Sequence, residues 1–506
     1  MLLSSTWGAA QSSSIEGVRK MYLRNSGPIQ ENNKLVGYYT FYLYDKVDSK
    51  TNAYYLTLTD VDLNVVHELK MKKPKTTVLM EMIYNGEIFS MLFIDTKEKV
   101  VSIETYDRKA QKVGDKILQD AHKWELMRLQ AAGEDGEVNE SLFPLGDHGF
   151  VKLLTVKNEK ISYELRAFNN DMTKKWTYAP KESGMMESAN VVWTNDKYML
   201  ITIMKMKNAF DKPDHAFLLL VDTETGKKVF ETKMIQSGNN LSVLNGFIDP
   251  GTQQIYLVGE YYGASDNLIS DKSLGLYVMQ MDMGGQAVKY NKFSRDGDLK
   301  KLSPPDDKGK QNFGYVFFHR VVRTKDGGFH LIGEQFKKAV SAWGMADKML
   351  NARNSTASSF SLWVDNMVVA KLNSDLELTG VEVYDKAKSE VIMPAGAAYW
   401  SPTLMAHYVR QYDGFDYAFT ITDPDKDRYF ASYVDFDRKK GDSGEKIGSY
   451  VGTIVYDGGT TTLDKLPIKS SSSNYRVLPG KPGNVVLLEY FRKEKRMEMR
   501  LEKVNY

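Results

Sequence analysis

The 506 residues include no cysteine. Disulfides, cysteine-ligated zinc, iron–sulfur clusters and thiol catalysis are thereby excluded. A bacterial lipid anchor, which needs a cysteine at the mature N-terminus, is not expected either. Large secreted eukaryotic proteins usually carry disulfides, so a bacterial or cytosolic chain is favoured. No charge of one sign dominates: 67 Lys and Arg against 65 Asp and Glu leave a net charge of +2. A nucleic-acid binder would show a concentrated basic excess, so no nucleic-acid partner is expected. No apolar run reaches the roughly 18 residues that cross a bilayer as a helix, so a membrane-spanning chain is not expected. The GxSxG, HExxH, P-loop and dinucleotide fingerprints are also missing, and no cofactor is expected.

What is present is a repeating β pattern. Hydrophobic residues make up 42% and charged residues 26%, the balance of a folded globular chain. Tyr (30) and Phe (22) are plentiful, as in β-rich chains. The stretch Phe317–Asp385 shows the unit. Strand Phe317–Thr324, turn Asp326-Gly327-Gly328 and strand Phe329–Phe336 are followed by strand Asn366–Leu372, turn Asn373-Ser374-Asp375 and strand Leu376–Tyr384. The second hairpin recurs at Tyr55–Met71, Val101–Leu118, Tyr163–Tyr178, Phe217–Met234, Leu276–Phe293 and Tyr450–Ile468. Period-2 alternation suits half-buried strands, and Asp, Asn and Gly supply the bends. A further hairpin precedes most copies, as at Val78–Ile94, Val191–Met204 and Ser242–Tyr261. Four-stranded meanders repeated every 40–50 residues or so predict an all-β propeller of about eight four-stranded blades, with seven as the alternative. An open β-solenoid or two stacked β-domains would also accommodate the repeats.

The final unit, ending in Met497–Tyr506, is one strand short, and Ile15–Leu23 is the natural donor to close a ring. Residues 12–506 are thus expected to form a single propeller domain. Within each blade the strands are lettered A to D from the centre outward. The long connections are then all B–C loops (Lys205–His215, Tyr262–Ser273, Lys337–Ser359, Arg438–Gly448) or D-to-A links (Gln119–Asn139, Ser294–Gly314, Lys386–Thr403). These share one face, where binding chemistry is expected. Two short helical insertions are predicted there, at Asp120–Ala132 and Phe336–Leu350, from their apolar stripes.

Candidate functional residues follow from this frame. His319, Arg320 and Arg323, with His407 and Arg410, read as innermost-strand residues pointing into a channel mouth. They can bind an anion, act as acid–base groups, or merely tie neighbouring blades together. Tyr261, Tyr262, Trp343, Tyr399 and Trp400 read as exposed aromatics beside the long loops, suited to stacking on sugars or anchoring a protein. Asp423, Asp425 and Asp427 have the spacing of a calcium loop, but Arg428 and Val434 stand where Gly and Glu belong, so a solvated turn is expected and no metal. Gly441-Asp442-Ser443-Gly444 has the form of a serine-protease nucleophile loop without its Gly-Pro continuation, and reads as a solvated surface loop.

Met1–Gln11 has a short apolar run followed by Gly8-Ala9-Ala10, the small-residue spacing of a secretory cleavage site, and reads as the remnant of a signal. The stretch Val36–Tyr44 (VGYYTFYLY), Asp45-Lys46-Val47-Asp48, Ala53–Leu58 and Asp60–Leu63 resembles an uncharacterised family of exported β-propeller-like proteins from Gram-negative bacteria. The resemblance is strongest over the first unit. It implies the fold and an extracytoplasmic location, periplasm or outer surface, and carries no activity. The expected function is a binding or scaffold module for an envelope protein or glycan. The alternative is a hydrolase of a glycan or peptide with acid–base residues at the channel mouth.

Overall fold

A computed structural model describes residues 11–504 apart from 32–33, 121–140, 158, 182, 209–212, 214, 306–312, 342–356, 439–445, 471 and 473. The described strands form eight sheets, each built on a four-stranded antiparallel blade, three of them with one short extra strand, arranged as a propeller. Blade 1 pairs two short inner pieces, Lys20–Met21 and Gly27–Glu31, with Lys34–Lys46, Thr51–Thr59 and Val65–Pro74. Blade 2 runs Thr77–Tyr84, Ile88–Asp95, Val100–Asp107, Lys112–Asp120. Blade 3 runs Leu142–Pro144, Gly149–Lys157, Ile161–Asn169, Lys174–Tyr178. Blade 4 runs Met186–Thr194, Tyr198–Met206, Ala216–Asp222, Lys228–Lys233. Blade 5 runs Asn239–Asp249, Gln254–Tyr262, Gly275–Met281, Ala287–Ser294. Blade 6 runs Tyr315–Arg323, Phe329–Val340, Ala357–Leu372, Leu378–Tyr384. Blade 7 runs Tyr417–Asp423, Arg428–Arg438, Lys446–Asp457, Thr460–Ile468. Blade 8 takes Asn474–Pro479, Asn484–Phe491 and Arg496–Lys503 from the end of the chain and Ser12–Glu16 from its start.

Burial follows the sequence pattern. B strands lie between neighbouring blades and are mostly apolar, as in Ile88–Asp95 and Asn484–Phe491, which are buried along almost their whole length. D strands face solvent and alternate or stay polar, as in Val65–Pro74 and Thr460–Ile468. A strands of neighbouring blades touch around the centre.

The recurring C–D hairpins turn on one device. A carboxylate or amide oxygen accepts the N–H groups two and four residues ahead: Asp60 from Asp62 and Asn64 (2.9 Å each), Asp107 from Lys109 and Gln111 (2.8 Å each), Asn373 from Asp375 and Glu377 (3.0 and 2.9 Å). That local bond holds the third residue onward in the left-handed region, where Leu63 has φ 66°, Ala110 59° and Leu376 62°. For a leucine this costs about 1–2 kcal/mol. Leu63 and Leu376 are buried, which offsets it with about 1.5–3 kcal/mol each.

The ring closes between its two ends. Ser12↔Arg500 through Glu16↔Arg496 form an antiparallel ladder, and Val18 N donates to Lys495 O at 2.7 Å. The donor is therefore Ser12–Glu16, not Ile15–Leu23. Gly17 at φ 80° turns the chain out of the ladder, and Lys20–Met21 already belong to blade 1. Side chains latch other blade boundaries: Asn25 Oδ1 accepts Met82 N (2.6 Å), Trp176 Nε1 donates to Thr223 O (2.7 Å), and Tyr38 OH donates to Pro479 O (3.0 Å). Removing residues up to Glu16 strips the ladder and lifts Ile15 off the blade 1–blade 8 core. The expected loss is about 2 kcal/mol, with self-association through the bared Arg496–Lys503 edge. Thermal unfolding and size-exclusion chromatography test this, and an unchanged melting temperature counts against it.

Part of one striped insertion is strand rather than helix. Phe336–Val340 continue strand B of blade 6, paired to Phe360–Val364, because the blade is prolonged upward. Its C strand, Ala357–Leu372, is long enough to pair first with Ser389–Pro394 and then with Leu378–Tyr384. The remainder of that predicted helix and nearly all of Asp120–Ala132 lie outside the described residues, as do Met1–Ala10, Gly441–Gly444 and Trp343. Among the described residues, helical segments occur in two of the long D-to-A links: Arg295–Leu302, a π-turn running into an α-turn, and Ala395–Tyr399 followed by Pro402–Gln411.

Candidate functional site: a capped central channel

The helix Pro402–Gln411 lies across the centre on the long-loop face. It begins where Ser401 Oγ accepts Leu404 N (3.2 Å) with Pro402 in the first turn, and ends at Tyr412, before Asp413 (φ 53°) and Gly414. Met405, Ala406 and Val409 bury one side against blade 6. Leu404, His407, Arg410 and Gln411 line the cavity beneath. Three anchors fix this cap. Ser401 N donates to Ile269 O (2.7 Å), and Lys338 Nζ donates to the carbonyls of Ala398 (2.7 Å) and Trp400 (2.9 Å). Thr403 donates to Glu260, which also accepts from Ser273 Oγ (2.8 Å) and Arg295 Nη2 (3.1 Å). Burial pushes the Glu260 carboxyl up, against the pull of Arg295 and the hydroxyls.

Two cavities flank the cap helix and share His319 and Arg410. One, about 330 Å³, is lined by Arg24, Glu81, Asp413 and Arg476 as well. The other, about 260 Å³, adds Asn190, Ser242, Asn245 and His407, and no carboxylate. Arg476 Nη1 is held by the carbonyls of Leu23 (3.0 Å), Arg24 (2.7 Å) and Ser26 (2.9 Å). Glu81 is held by Ser141 Oγ (2.6 Å) and Leu142 N (3.1 Å) of blade 3.

His319 reaches the channel through a β-bulge. Phe318 pairs with Gly333 and Arg320 with Ile332, leaving His319 as the extra residue. The same slip occurs in the A strands of blades 2, 4, 5 and 7, and the extra residues Val192, Leu244 and Ala418 line the cavities too. The imidazole stacks flat on Tyr417 (4.5 Å, 1°), and its Nε2 lies 3.0 Å from Glu334 Oε2. Glu334 is fully buried. It accepts Tyr417 N (2.9 Å) and faces Lys386 Nζ at 3.4 Å, and that ammonium lies 2.6 Å from Asp416 Oδ2. Burial works to raise the Glu334 carboxyl, but Lys386, His319 and the Tyr417 N–H outweigh it and hold it below the usual range. Burial pushes the His319 imidazole down, with Glu334 opposing, so it is neutral at pH 7. With Glu334 ionised, Nε2 carries the proton and Nδ1 keeps its lone pair. Burial and the neighbouring Arg410 lower His407 to about 4. The channel therefore presents guanidinium groups, amides and neutral imidazoles, with Glu81 and Asp413 on the wall of the larger cavity, a lining suited to polar groups and, in the smaller cavity, to anionic ones.

His319, His407 and Arg410 do meet at this mouth, but His407 and Arg410 sit on the cap helix rather than on an innermost strand. The A strand of blade 7 is Tyr417–Asp423. The Ser401-Pro402 helix start, followed by Met405, Ala406 and Val409 at i, i+1, i+4, was the signal for it. Arg320 and Arg323 line a different crevice, where blades 6 and 7 reach the short A–B turns. Tyr261 and Tyr262 are buried in the core of blade 5, not exposed, because the strand's last residues run between two blades. Tyr399 is 85% exposed, while Trp400 packs half-buried on Tyr408 (5.5 Å). Asp423, Asp425 and Asp427 occupy the tight turn Pro424–Lys426 and its flanks. Among the described residues no group of three or more His, Asp or Glu is placed to hold a metal. Glu334, Lys386, Asp416 and Glu260 went unnoticed in the sequence. The available signal was a glutamate set into otherwise apolar B strands in three blades, Glu260, Glu334 and Glu489, all buried.

The fold and site define an eight-bladed β-propeller whose channel is capped on one face by a short helix and lined by polar and charged groups, basic ones in excess. A family of unknown function, DUF6770, matches residues 1–505, and the chain belongs to it. No curated protein matches the chain. Among solved structures it is similar to a europium-containing methanol dehydrogenase (8% identity, 96% of this chain and 85% of that one, TM-score 0.40). It is also similar to the WD40 domain of SCAP from fission yeast (9%, 96% and 98%, TM-score 0.36) and to the β-propeller domain of the trilobed protease from Pyrococcus furiosus (10%, 74% and 96%, TM-score 0.33). Likenesses of this size carry no argument about function.

Proposed function

We propose that the chain is an exported binding module that holds an envelope protein or glycan on its long-loop face, with a polar or anionic group of that ligand seated under the cap helix. The carrying observation is the pair of cavities that share His319 and Arg410, beside a rim on which Tyr399 is 85% exposed. Export rests on the small-residue pattern at Gly8-Ala9-Ala10. Glycan hydrolysis would need a carboxylic acid and a second carboxylate free to act in one pocket. Of the two carboxylates lining the larger cavity, Glu81 is occupied by Ser141 and Leu142. Glu260 and Asp416, the acids raised by burial, line neither cavity.

A glycan array and a pull-down from a Gram-negative envelope extract, read by mass spectrometry, test the reading. Arg410→Ala should weaken the captured ligand about ten-fold or more, the worth of one charge-assisted hydrogen bond. Tyr399→Ala should weaken it less. Capture that neither substitution alters overturns the proposal, and so does turnover of a glycan or peptide by the purified protein.

A further inference from the structure

On the opposite face from the cap helix, where the A strands of blades 6 and 7 run out to their short turns, lies a crevice of about 320 Å³. We propose that it is an oxyanion site that takes a phosphate or diphosphate group. Four cationic residues line it, Arg320, Arg323, Lys325 and Arg428, against a single carboxylate, Asp427. Two of the four are neutralised from outside the lining: Arg323 by Asp249 of blade 5, and Arg428 Nη2 by Asp457. The carboxylate within the lining is already engaged at both oxygens, by Lys325 N (2.8 Å) and by Tyr456 OH (3.2 Å). Arg320 and Lys325 thus supply the remaining positive charge of the lining, beside an acid hydrogen-bonded within it. Arg428 is only partly paired. Its Nε is buried and has no acceptor, although Nη2 of the same group is paired. The accessible remainder of the Arg428 side chain adds positive charge to the wall of the crevice.

The floor holds these groups in place. Tyr429 and Tyr456 stack on each other (5.2 Å, 19°), and His330 Nδ1 lies 3.1 Å from Tyr429 OH. Val321 and Val322 form an apolar wall. An anion entering here meets guanidinium and ammonium donors on a rigid aromatic base. The long-loop face contributes nothing to this site, so it stands or falls apart from the function proposed above.

The test is calorimetric titration of the purified full chain at low salt with inorganic phosphate, inorganic pyrophosphate and a nucleoside diphosphate, with acetate as the monovalent control. Pyrophosphate should bind more tightly than phosphate, and acetate should not register. Tighter binding of the nucleoside diphosphate than of pyrophosphate would assign the ligand an organic moiety; equal binding would assign a free oxyanion. Arg320→Gln combined with Lys325→Gln should weaken pyrophosphate about ten-fold or more. Both residues are exposed, so the fold should survive the change, and Arg410→Ala should leave this binding intact. No pyrophosphate binding, binding matched by acetate, or binding unchanged in the double variant overturns the site.

Discussion

Replacing Lys386 with methionine is expected to cost about 3–5 kcal/mol of stability, the usual consequence of removing one partner from a buried ionic group. The ammonium lies between two carboxylates, Glu334 at 3.4 Å and Asp416 at 2.6 Å, and its side chain is inaccessible to water. Burial alone would lower the Lys386 pKa, but the two acids raise it above the usual lysine range. Its contribution is therefore complete below about pH 10.4 and is lost as pH rises through the raised value. Without it, Glu334 and Asp416 face each other buried and uncompensated, and one of them must take up a proton. A second substitution, Asp416→Asn, removes that conflict and should restore part of the loss. Urea unfolding of the three variants at pH 7 tests the argument. A single variant as stable as the parent would show that the cluster is not coupled as described.

Acid should destabilise the protein well before its carboxylates titrate. His330 is buried against Tyr429 and Tyr456. Burial lowers it to about 4, Lys371 adding to the effect and Glu382, Asp326 and Asp427 opposing it. His407 is lowered to about 4 as well, and His319 is also lowered. In the unfolded chain each takes a proton below about pH 6.5. The folded protein refuses that proton, so the unfolded state binds more protons and stability falls as pH drops from about 6.5 toward 4. His330 alone accounts for roughly 3 kcal/mol by pH 4. Glu334 works lower down, its stabilisation present above the ordinary carboxylate value and lost as pH falls through its depressed one. Replacing His330 with phenylalanine should flatten the upper part of this acid limb by about that 3 kcal/mol. Unfolding free energies measured at pH 7, 5.5 and 4 decide it, and a flat profile between pH 7 and 5 would refute the assignment.

Local chemistry explains how far the sequence could be read. The hairpins at Tyr55–Met71, Val101–Leu118 and Met367–Tyr384 were visible because an Asp or Asn at the bend does its work within four residues. The crowding of long connections on one rim was visible because a meander alternates its turns. The bulge that aims His319 left no trace, since an extra residue in one strand shows only against its partner. The ion cluster left little, because Glu334 meets Lys386 and Asp416 from three separate segments. His407-Tyr408-Val409-Arg410 was read as a strand from its own apolar alternation, while the helix-starting Ser401-Pro402 lay just upstream.

Closure by Ser12–Glu16 has a consequence for how the molecule comes into being. Ser14 meets Met497, 483 residues away along the chain. At about 5–20 residues per second, translation takes roughly 25–100 s to supply that partner. Throughout that interval the earlier blades can assemble one after another as they emerge, while the opening segment must wait with its hydrogen-bonding edge unsatisfied. The newborn chain is therefore most exposed to wrong pairing at Ser12–Glu16, and a chaperone that guards it would be needed at that strand first.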